Sequence, residues 1–299
     1  MSLPPDHLAY PHRRYGMDQD RYDWTGGRQR PPFRLPPGKS IACMIVVPIE
    51  FHMLNPSGKP FKHPGAMQTP YPDLRHYTTR DYGNRVGVFR ILAALKDAGL
   101  TATFAINAQL LDRFAPLVDA IQSEGHAIAA HGWNTDIIHW GGLDPAEETR
   151  IVDDVRAAFA KVGLAPQTWL SPARSQSFAT PDIIRKAGFD ICLDWEMDCV
   201  PVSMRTQAGP ITCIPLANEL DDRKLLIDQR QTEAEWRDQI LAARDTLCDS
   251  GPSVLAFTLT PYVIGQPYRM WALRETLLAL STDSRIWHAA PEAIAEAAR

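Results

Sequence analysis

The chain has 299 residues, of which 45% are hydrophobic and 22% are charged, and its formal net charge is −4. These values are ordinary for a globular protein with a sizeable core. Because no run of Lys and Arg and no basic aromatic stripe occurs, nucleic acids and anionic membranes are poor candidates for partners. No apolar run is long enough to span a bilayer and the N-terminus lacks the apolar core of a signal peptide, so we expect a cytoplasmic enzyme.

The cysteines do not follow a metal or disulfide pattern. There are five of them, and no C-x-x-C pair occurs. Cys43, Cys192 and Cys213 lie in apolar strand-like runs, where a small buried hydrophobe is expected. We therefore expect reduced, structural cysteines.

The chain begins with a segment that lacks periodicity. Residues 1–40 are rich in Pro, Arg, Gly and Tyr, and they are predicted to form an N-terminal arm used in subunit contacts, ahead of one domain over residues 41–299. The domain opens with SIACMIVVPIEF, a continuous apolar run with β-branched residues that predicts a buried parallel strand. Residues 54–80 are rich in proline, and we predict an irregular functional loop there.

After this loop, helix and strand patterns alternate to the end of the chain. Three predicted helices end at Gly99, Gly125 and Gly163. A fourth helix is predicted over TPDIIRKAG, which begins with a Thr cap and a Pro at the first helical position. The further helices are predicted over TEAEWRDQILAARDTLCDSG, YRMWALRETLLALS and PEAIAEAA. The further strands are predicted over TATFAIN, HAIAAHG, TWLSP, FDICLDW, ITCIPLA, SVLAFTLTP and RIWHAA.

Repeated βα units without a glycine-rich phosphate fingerprint predict an α/β fold, a (β/α) TIM-like barrel of about seven to eight parallel strands. In such a barrel the catalytic residues lie at the carboxyl ends of the strands. The candidates at these ends for catalytic roles are Glu50, His131, Arg174 and Asp194. The candidates for substrate binding are Asn107, Trp133, Trp195, Asn218, Glu219, Thr260 and Tyr262.

Several of these residues also admit a structural role. Glu50 interrupts an apolar run, where an unpaired charge is costly, so it is either a site residue or part of a structural ion pair. His131 could line the pocket or only satisfy a backbone carbonyl, and Asp194 could cap the following turn. Arg174 could clamp a substrate carboxylate or bridge to Asp198. The two tryptophans could sandwich a flat ring or only pack the rim.

Seven blocks of sequence carry a family resemblance. They are VVPIEF, TFAIN, GHAIAAHGW, WLSPARS, AGFDICLDWEMD, CIPLANELDD and TLTPYVIGQPYR. Together they resemble the polysaccharide deacetylase superfamily with NodB homology, over residues 40–298. YGNRVGVFRILAAL and GQPYR resemble the allantoinase-like branch linked to uric-acid breakdown, which also contains cyclic-imide hydrolases. The resemblance implies a distorted (β/α) barrel and a homo-oligomer, either a dimer or a tetramer.

The resemblance also implies a metal site that this sequence does not reproduce in full. Metal-dependent members hold one divalent ion with an Asp and two histidines of an H-x-x-x-H motif, and use a late histidine as an acid. Glu50 stands near the acidic pair of the first motif, and His131 matches the first histidine. Thr135 replaces the second histidine and Thr260 the late one, and a threonine hydroxyl is a weak ligand for Zn²⁺.

Two alternatives for a cofactor therefore remain. The protein uses no cofactor, or it binds one divalent metal ion such as Zn²⁺ through Glu50 and His131, with Asp136 or His139 as a third ligand. In the first case, His131 lines the pocket and handles protons or substrate hydrogen bonds.

Three functions follow from these alternatives. The first is a hydrolase of non-peptide C–N bonds that opens a small cyclic amide, imide or ureide. Glu50 would be the general base if burial raises its pKa toward neutrality, and His131 would orient water or donate a proton. Arg174, Asn218 or backbone N–H groups would stabilise the oxyanion, while the carboxylates of Asp194 and Glu219 would accept hydrogen bonds from ring N–H groups. The second is a metal-dependent N-acetyl sugar deacetylase, and the third is a non-catalytic relative that binds a small ligand.

Overall fold

The computed structural model describes residues 17, 19–30, 32–57 and 70–299. Nine strands lie in this part of the chain: β1 (Ile41–Ile49), β2 (Thr103–Ile106), β3 (Ala127–Ala130), β4 (Thr168–Trp169), β5 (Ile191–Cys192), β6 (Val202–Met204), β7 (Ile211–Cys213), β8 (Ser253–Thr258) and β9 (Ile286–His288). Its α-helices are α1 (Leu74–Tyr82), α2 (Val88–Ala98), α3 (Ala115–Ser123), α4 (Pro145–Lys161), α5 (Thr180–Lys186), α6 (Glu233–Ser250), α7 (Met270–Ser281) and α8 (Pro291–Ala297).

The strands form one mostly parallel sheet curled into a half-barrel. Its order is β6-β7-β5-β4-β3-β2-β1-β8, and β9 pairs with β1. Every pair is parallel except β6 with β7. At the open side, the N–H of Ala217, just past β7, donates to the carbonyl of Ala256 in β8 (3.1 Å). This architecture is a distorted (β/α) barrel and confirms the predicted fold class.

Both faces of β1 are buried, as its uninterrupted apolar sequence predicts. Cys43, Ile45 and Val47 belong to the large cluster of apolar side chains that includes those of the helices. Met44 and Val46 alternate with them and pack in a second apolar cluster. The strand is therefore rigidly held, and it carries the residue after its carboxyl end, Glu50, to a fixed place.

Two features differ from the sequence prediction. Part of the predicted loop 54–80 is helical, because Asp73 caps α1 by accepting from the N–H of His76 (3.0 Å). The π-helical segment Gly83–Gly87 then joins α1 to α2. Residues 58–69 of that loop lie outside the described residues. The antiparallel strand β6 was also not predicted, since three residues give too short a pattern.

The described part of the N-terminal arm packs on the body of its own chain. Arg21 pairs with Asp182 (2.6 Å), and Arg30 pairs with Asp198 (2.5 Å). The side chain of Phe33 is buried in the core. The role of the arm in subunit contacts stays a prediction, and residues 1–16 lie outside the described residues.

The five cysteines are all free, in agreement with the sequence pattern. Among the helices that the structure describes, none has the length and apolar character needed to cross a membrane.

Candidate active site

The carboxylate of Glu50 lies between two imidazoles. Glu50 follows β1 directly, His131 follows β3, and both strands pair with β2, so the parallel strand ends bring the two residues together. Glu50 Oε1 lies 3.7 Å from His131 Nε2, and Glu50 Oε2 lies 3.5 Å from His52 Nε2. All three side chains are at most 14% exposed. His52 was missed by the sequence reasoning, although its place two residues after Glu50 could have revealed it.

The hydrogen bonds of the two imidazoles fix which nitrogen carries the proton. The carbonyl of Leu170 only accepts, so its contact with His131 Nδ1 (2.8 Å) places a hydrogen on Nδ1. The Thr135 hydroxyl donates to the carbonyl of Phe51 (2.9 Å), which leaves its oxygen to accept from His52 Nδ1 at 3.3 Å. Both Nε2 atoms therefore face Glu50.

The ionisation of Glu50 argues against its predicted role as a general base. Burial raises the pKa of Glu50, but hydrogen bonds and charge from His131 and His52 outweigh burial and hold the pKa well below its usual range. The condition set for a Glu50 base, a pKa near neutrality, is not met. Glu50 is instead ionised, and its carboxylate lies against both imidazoles.

Asn107 fastens the ends of β1 and β3 to each other. Its fully buried side chain accepts from the N–H of Phe51 (2.7 Å) and donates to the carbonyl of His131. These contacts set the backbone on either side of the Glu50–His131 pair. They occupy both ends of the amide, and a role of Asn107 in substrate binding stays a prediction.

The turn after His131 requires glycine. Gly132 has a φ of +61°, and a Cβ there would lie 2.6 Å from the Cγ of Pro172. This close approach lets the loop after β3 pack against the loop after β4, and thus helps to hold the His131 ring beside the Leu170 carbonyl.

Tyr262 borders the same site from the loop after β8. Its ring lies 6.0 Å from the His52 ring in an edge-on arrangement, and the guanidinium of Arg80 lies 5.3 Å from its centroid. Burial, and then the charge of Glu50, raise the pKa of Tyr262. Arg223 hydrogen-bonds to the Tyr262 side chain. Arg223 was missed because nothing in its own sequence surroundings, DDRK, marks it as a site residue.

Arg223 remains a cation in this surrounding. Burial lowers the pKa of Arg223, but its hydrogen bond to Tyr262 and the charges of Glu50 and Asp221 outweigh burial and raise the pKa above its ordinary value. Arg223 therefore brings a fixed positive charge beside Glu50.

Asp194 and Trp195 lie in a separate hydrogen-bond network. Asp194 accepts from the N–H (2.8 Å) and hydroxyl (2.8 Å) of Ser171 and from the amide of Gln176 (2.5 Å). The Trp195 indole donates to Gln176 (2.7 Å). Burial raises the pKa of Asp194 in spite of these donors. The roles predicted for these two residues are untested, and the observed contacts are with protein groups.

Arg174 is also held by its own chain. It adopts a φ of +52°, donates to the carbonyl of Leu216 (2.7 Å) and the hydroxyl of Thr258 (3.2 Å), and lies 3.9 Å from Asp221. Asp198, its alternative partner in the sequence analysis, pairs with Arg30 instead. Burial lowers the pKa of Arg174. Its predicted contact with an oxyanion stays untested.

Thr260 is buried against a carboxyl group that the sequence analysis missed. Its N–H donates to Oδ2 of Asp222 (2.8 Å), a side chain with no exposed surface. Burial and the charge of Asp221 raise the pKa of Asp222 well above its ordinary value. The remaining predicted rim residues, Asn218 and Glu219, are exposed.

Trp133 lines a groove of about 460 Å³ together with Asp136, Trp140 and residues of α4. The groove adjoins the loop that follows His131. Whether the Trp133 indole contacts a substrate stays a prediction.

The donors that the family resemblance suggests for a metal do not form a site here. Asp136 accepts from the N–H and hydroxyl of Ser57, and His139 is fully buried against Glu148 (2.8 Å). The Thr135 hydroxyl donates its hydrogen to the carbonyl of Phe51. Over the described residues, no group of three or more His, Cys, Asp or Glu side chains is arranged to hold a metal ion. The residues present therefore do not fit the metal that the family resemblance implies.

Comparisons with known proteins agree with this fold. Residues 70–192 match the family model of polysaccharide deacetylase. No curated protein matches the sequence. A probable polysaccharide deacetylase from Pseudomonas aeruginosa PAO1 superposes with a TM-score of 0.82 at 22% identity, over 91% of this chain and 95% of that one.

Two further solved structures share the fold. A putative polysaccharide deacetylase from Mycobacterium smegmatis has a TM-score of 0.73 at 23% identity, over 89% of this chain and 92% of that one. PuuE allantoinase has a TM-score of 0.77 at 20% identity, over 99% of this chain and 97% of that one. Residues 70–192 thus match the polysaccharide deacetylase model, and the chain shares the fold of these three solved structures.

Proposed function

We propose that the protein hydrolyses a non-peptide C–N bond in a small cyclic amide, imide or ureide. The observation that carries this proposal is the Glu50 carboxylate between His52 and His131, with both Nδ1 atoms bonded away from it. In this array either imidazole can take up a proton on the Nε2 that faces Glu50, and the ionised carboxylate stabilises the imidazolium that forms. A base is thus available in the site without a metal. The shared fold with an allantoinase supports the choice of a cyclic substrate.

In this proposal, water is the nucleophile. The neutral imidazole takes a proton from water while the water oxygen attacks the ring carbonyl. Glu50 stabilises the imidazolium that forms, as an ionised carboxylate does beside a catalytic histidine. Arg223, the fixed cation beside Glu50, would help to offset the negative charge that develops during the attack.

The test is a turnover assay of the purified protein on a panel of cyclic imides, hydantoins, allantoin and N-acetyl sugars. We expect ring opening of at least one cyclic compound, and a loss of about 100-fold or more in the His131→Ala variant. The variant excludes a contaminating enzyme. Turnover of N-acetyl sugars alone would overturn the proposal in favour of a deacetylase. No turnover of the panel, with one compound raising the melting temperature, would favour a binding protein.

A further inference from the structure

The surroundings of Tyr262 point to a role beyond contact with a substrate. We propose that the Tyr262 hydroxyl donates the proton that the leaving nitrogen takes up, and that Arg223 is its positioning residue. The inference rests on the proposed ring hydrolysis, since it assigns one proton transfer in that reaction.

The backbone of Tyr262 is held by the segment that joins α1 to α2. A Cβ at Gly83 would lie 2.8 Å from the Tyr262 nitrogen, and one at Gly87 would lie 2.0 Å from the Pro261 carbonyl oxygen. Only glycine permits this approach at both positions. The two glycines of YGNRVG are four residues apart, so they lie on the same face of the helical segment and press together on the loop that carries Tyr262.

The ring of Tyr262 is held on two further sides. Arg80 lies over its face, 5.3 Å from the centroid, and His52 approaches edge-on at 6.0 Å. His52 in turn lies 3.5 Å from Glu50. The phenol is thus fixed beside the carboxylate and imidazole that act on water, within the reach of the Glu50 charge.

The hydrogen bond with Arg223 leaves the phenol its own hydrogen. A guanidinium has donors and no acceptor, so Arg223 donates to a lone pair of the Tyr262 oxygen. The O–H hydrogen is then directed to another acceptor. Burial and the Glu50 charge raise the pKa of Tyr262, so the phenol keeps this hydrogen at neutral pH until a base such as a leaving nitrogen takes it.

The other buried groups near the site are less suited to this transfer. Glu50 is ionised and carries no proton to give. Asp194 is held by Ser171 and Gln176, and Asp222 accepts from the Thr260 N–H and has no exposed surface. The two imidazoles face Glu50, and in the proposed reaction they take up the proton from water. Tyr262 is therefore the proton donor that the geometry assigns to the leaving side.

The proposed step balances without an oxidant or reductant. Water gives one proton to an imidazole, and its oxygen forms a bond to the carbonyl carbon. The C–N bond breaks, its electron pair stays on nitrogen, and the nitrogen takes the hydroxyl proton of Tyr262. The phenolate then regains a proton from the imidazolium through solvent, so that one water is consumed for each ring opened.

The experiment compares Tyr262→Phe with wild type on rings whose leaving nitrogens differ in basicity. We expect kcat to fall about 100-fold for a cyclic amide or ureide, and much less for a cyclic imide, because the leaving group of an imide needs less protonation. A structural or oxyanion role would lower both rates equally, and that outcome would overturn the inference. Tyr82→Phe is the matched control, since Arg90 also bonds the Tyr82 hydroxyl and lies 5.7 Å from its ring, outside the site.

Arg223 variants test the positioning role. Arg223→Lys should retain more activity on the cyclic amide than Arg223→Met, because an ammonium still donates one hydrogen bond to the phenol. Equal losses in both would remove Arg223 from the inference. A wild-type protein that opens no ring overturns the proposed function together with this inference, whereas an active wild type matched by Tyr262→Phe overturns the inference alone.

Discussion

Glu50 and His131 follow different strands and meet beyond the end of β2, with 3.7 Å between Oε1 and Nε2. His52 completes the array on the other carboxylate oxygen. Burial raises the pKa of Glu50, but the two imidazoles beside its oxygens favour the ionised form and hold the pKa well below its usual range. In the proposed reaction, the imidazoles therefore take up the proton from water, and Glu50 is the anion between them.

Replacing Glu50 by Gln should remove this anion with little change of shape. We expect kcat for the opened ring to fall by about 100-fold or more, since an imidazolium formed in the reaction loses its counter-charge. Steady-state kinetics on the best cyclic substrate provides the measurement. Glu124→Gln is the matched control, because Glu124 also lies near an imidazole, that of His126 (3.8 Å), outside the site. Equal rates for the Glu50 variant and wild type would contradict the role of Glu50.

Asn107→Ala should destabilise the protein. The substitution leaves the N–H of Phe51 and the carbonyl of His131 without their partners, and each buried orphan costs about 1–3 kcal/mol. We expect the free energy of unfolding, measured by denaturant titration, to fall by about 2–4 kcal/mol. Asn107→Asp should also be destabilised, because a carboxylate oxygen would face the His131 carbonyl. Wild-type stability in both variants would show that Asn107 does not join the two strand ends.

Asp222→Asn should change how stability depends on pH. Burial and the charge of Asp221 raise the pKa of Asp222 in the folded protein above that in the unfolded chain. The contribution of Asp222 to the free energy of unfolding is therefore complete below the unfolded pKa. It is lost as the pH rises toward the pKa of the folded protein. An amide has no such loss. The variant should therefore gain stability relative to wild type by about 1 kcal/mol or more between about pH 5 and about pH 8.

The measurement for Asp222 is denaturant unfolding at several pH values. Asp112→Asn is the control, since Asp112 is exposed and pairs only at the surface with Lys161 (3.0 Å). Its difference from wild type should be small at every pH. A constant difference for the Asp222 variant would mean that this carboxyl does not titrate with a raised pKa.

Chelation should leave the activity unchanged. Thr135 offers a hydroxyl committed to a backbone carbonyl, and Glu50 divides its two oxygens between two imidazoles. Such donors do not converge on one ion. The measurement is ring opening before and after dialysis against a chelator, with elemental analysis of the dialysed protein. Activity that disappears on dialysis and returns with Zn²⁺ would contradict this expectation.

Oligomer formation, predicted from the sequence, has a candidate surface on α7. Trp271 is 43% exposed and Leu278 is 59% exposed, and a spacing of seven residues places them on one helical face. We expect light scattering to give a dimer or tetramer, and Trp271→Glu with Leu278→Glu to shift it toward a monomer. Val162→Glu, at an exposed position after α4, should leave the mass unchanged. A monomeric wild type would contradict the prediction.

The sequence by itself determined the fold class and the strand ends that carry Glu50 and His131. Buried parallel strands are continuous apolar runs, and the apolar residues of amphipathic helices recur every three to four positions. Both patterns can therefore be recognised in a single sequence. The half-barrel confirms that prediction. The helix α1 and the strand β6 could not be predicted from the sequence pattern. The first depends on a cap at Asp73, and the second on a short antiparallel pairing with β7.

The tertiary structure decided the chemistry of the site. The pKa of Glu50 depends on which groups lie within a few ångströms of it, and packing places two imidazoles there, so burial alone predicts the wrong direction. The same holds for Tyr262, whose backbone lies against Gly83 and whose side chain meets Arg223 from another part of the chain. The positions of most strands and helices follow from local patterns along the chain, whereas proton affinity follows from distances between residues far apart in it.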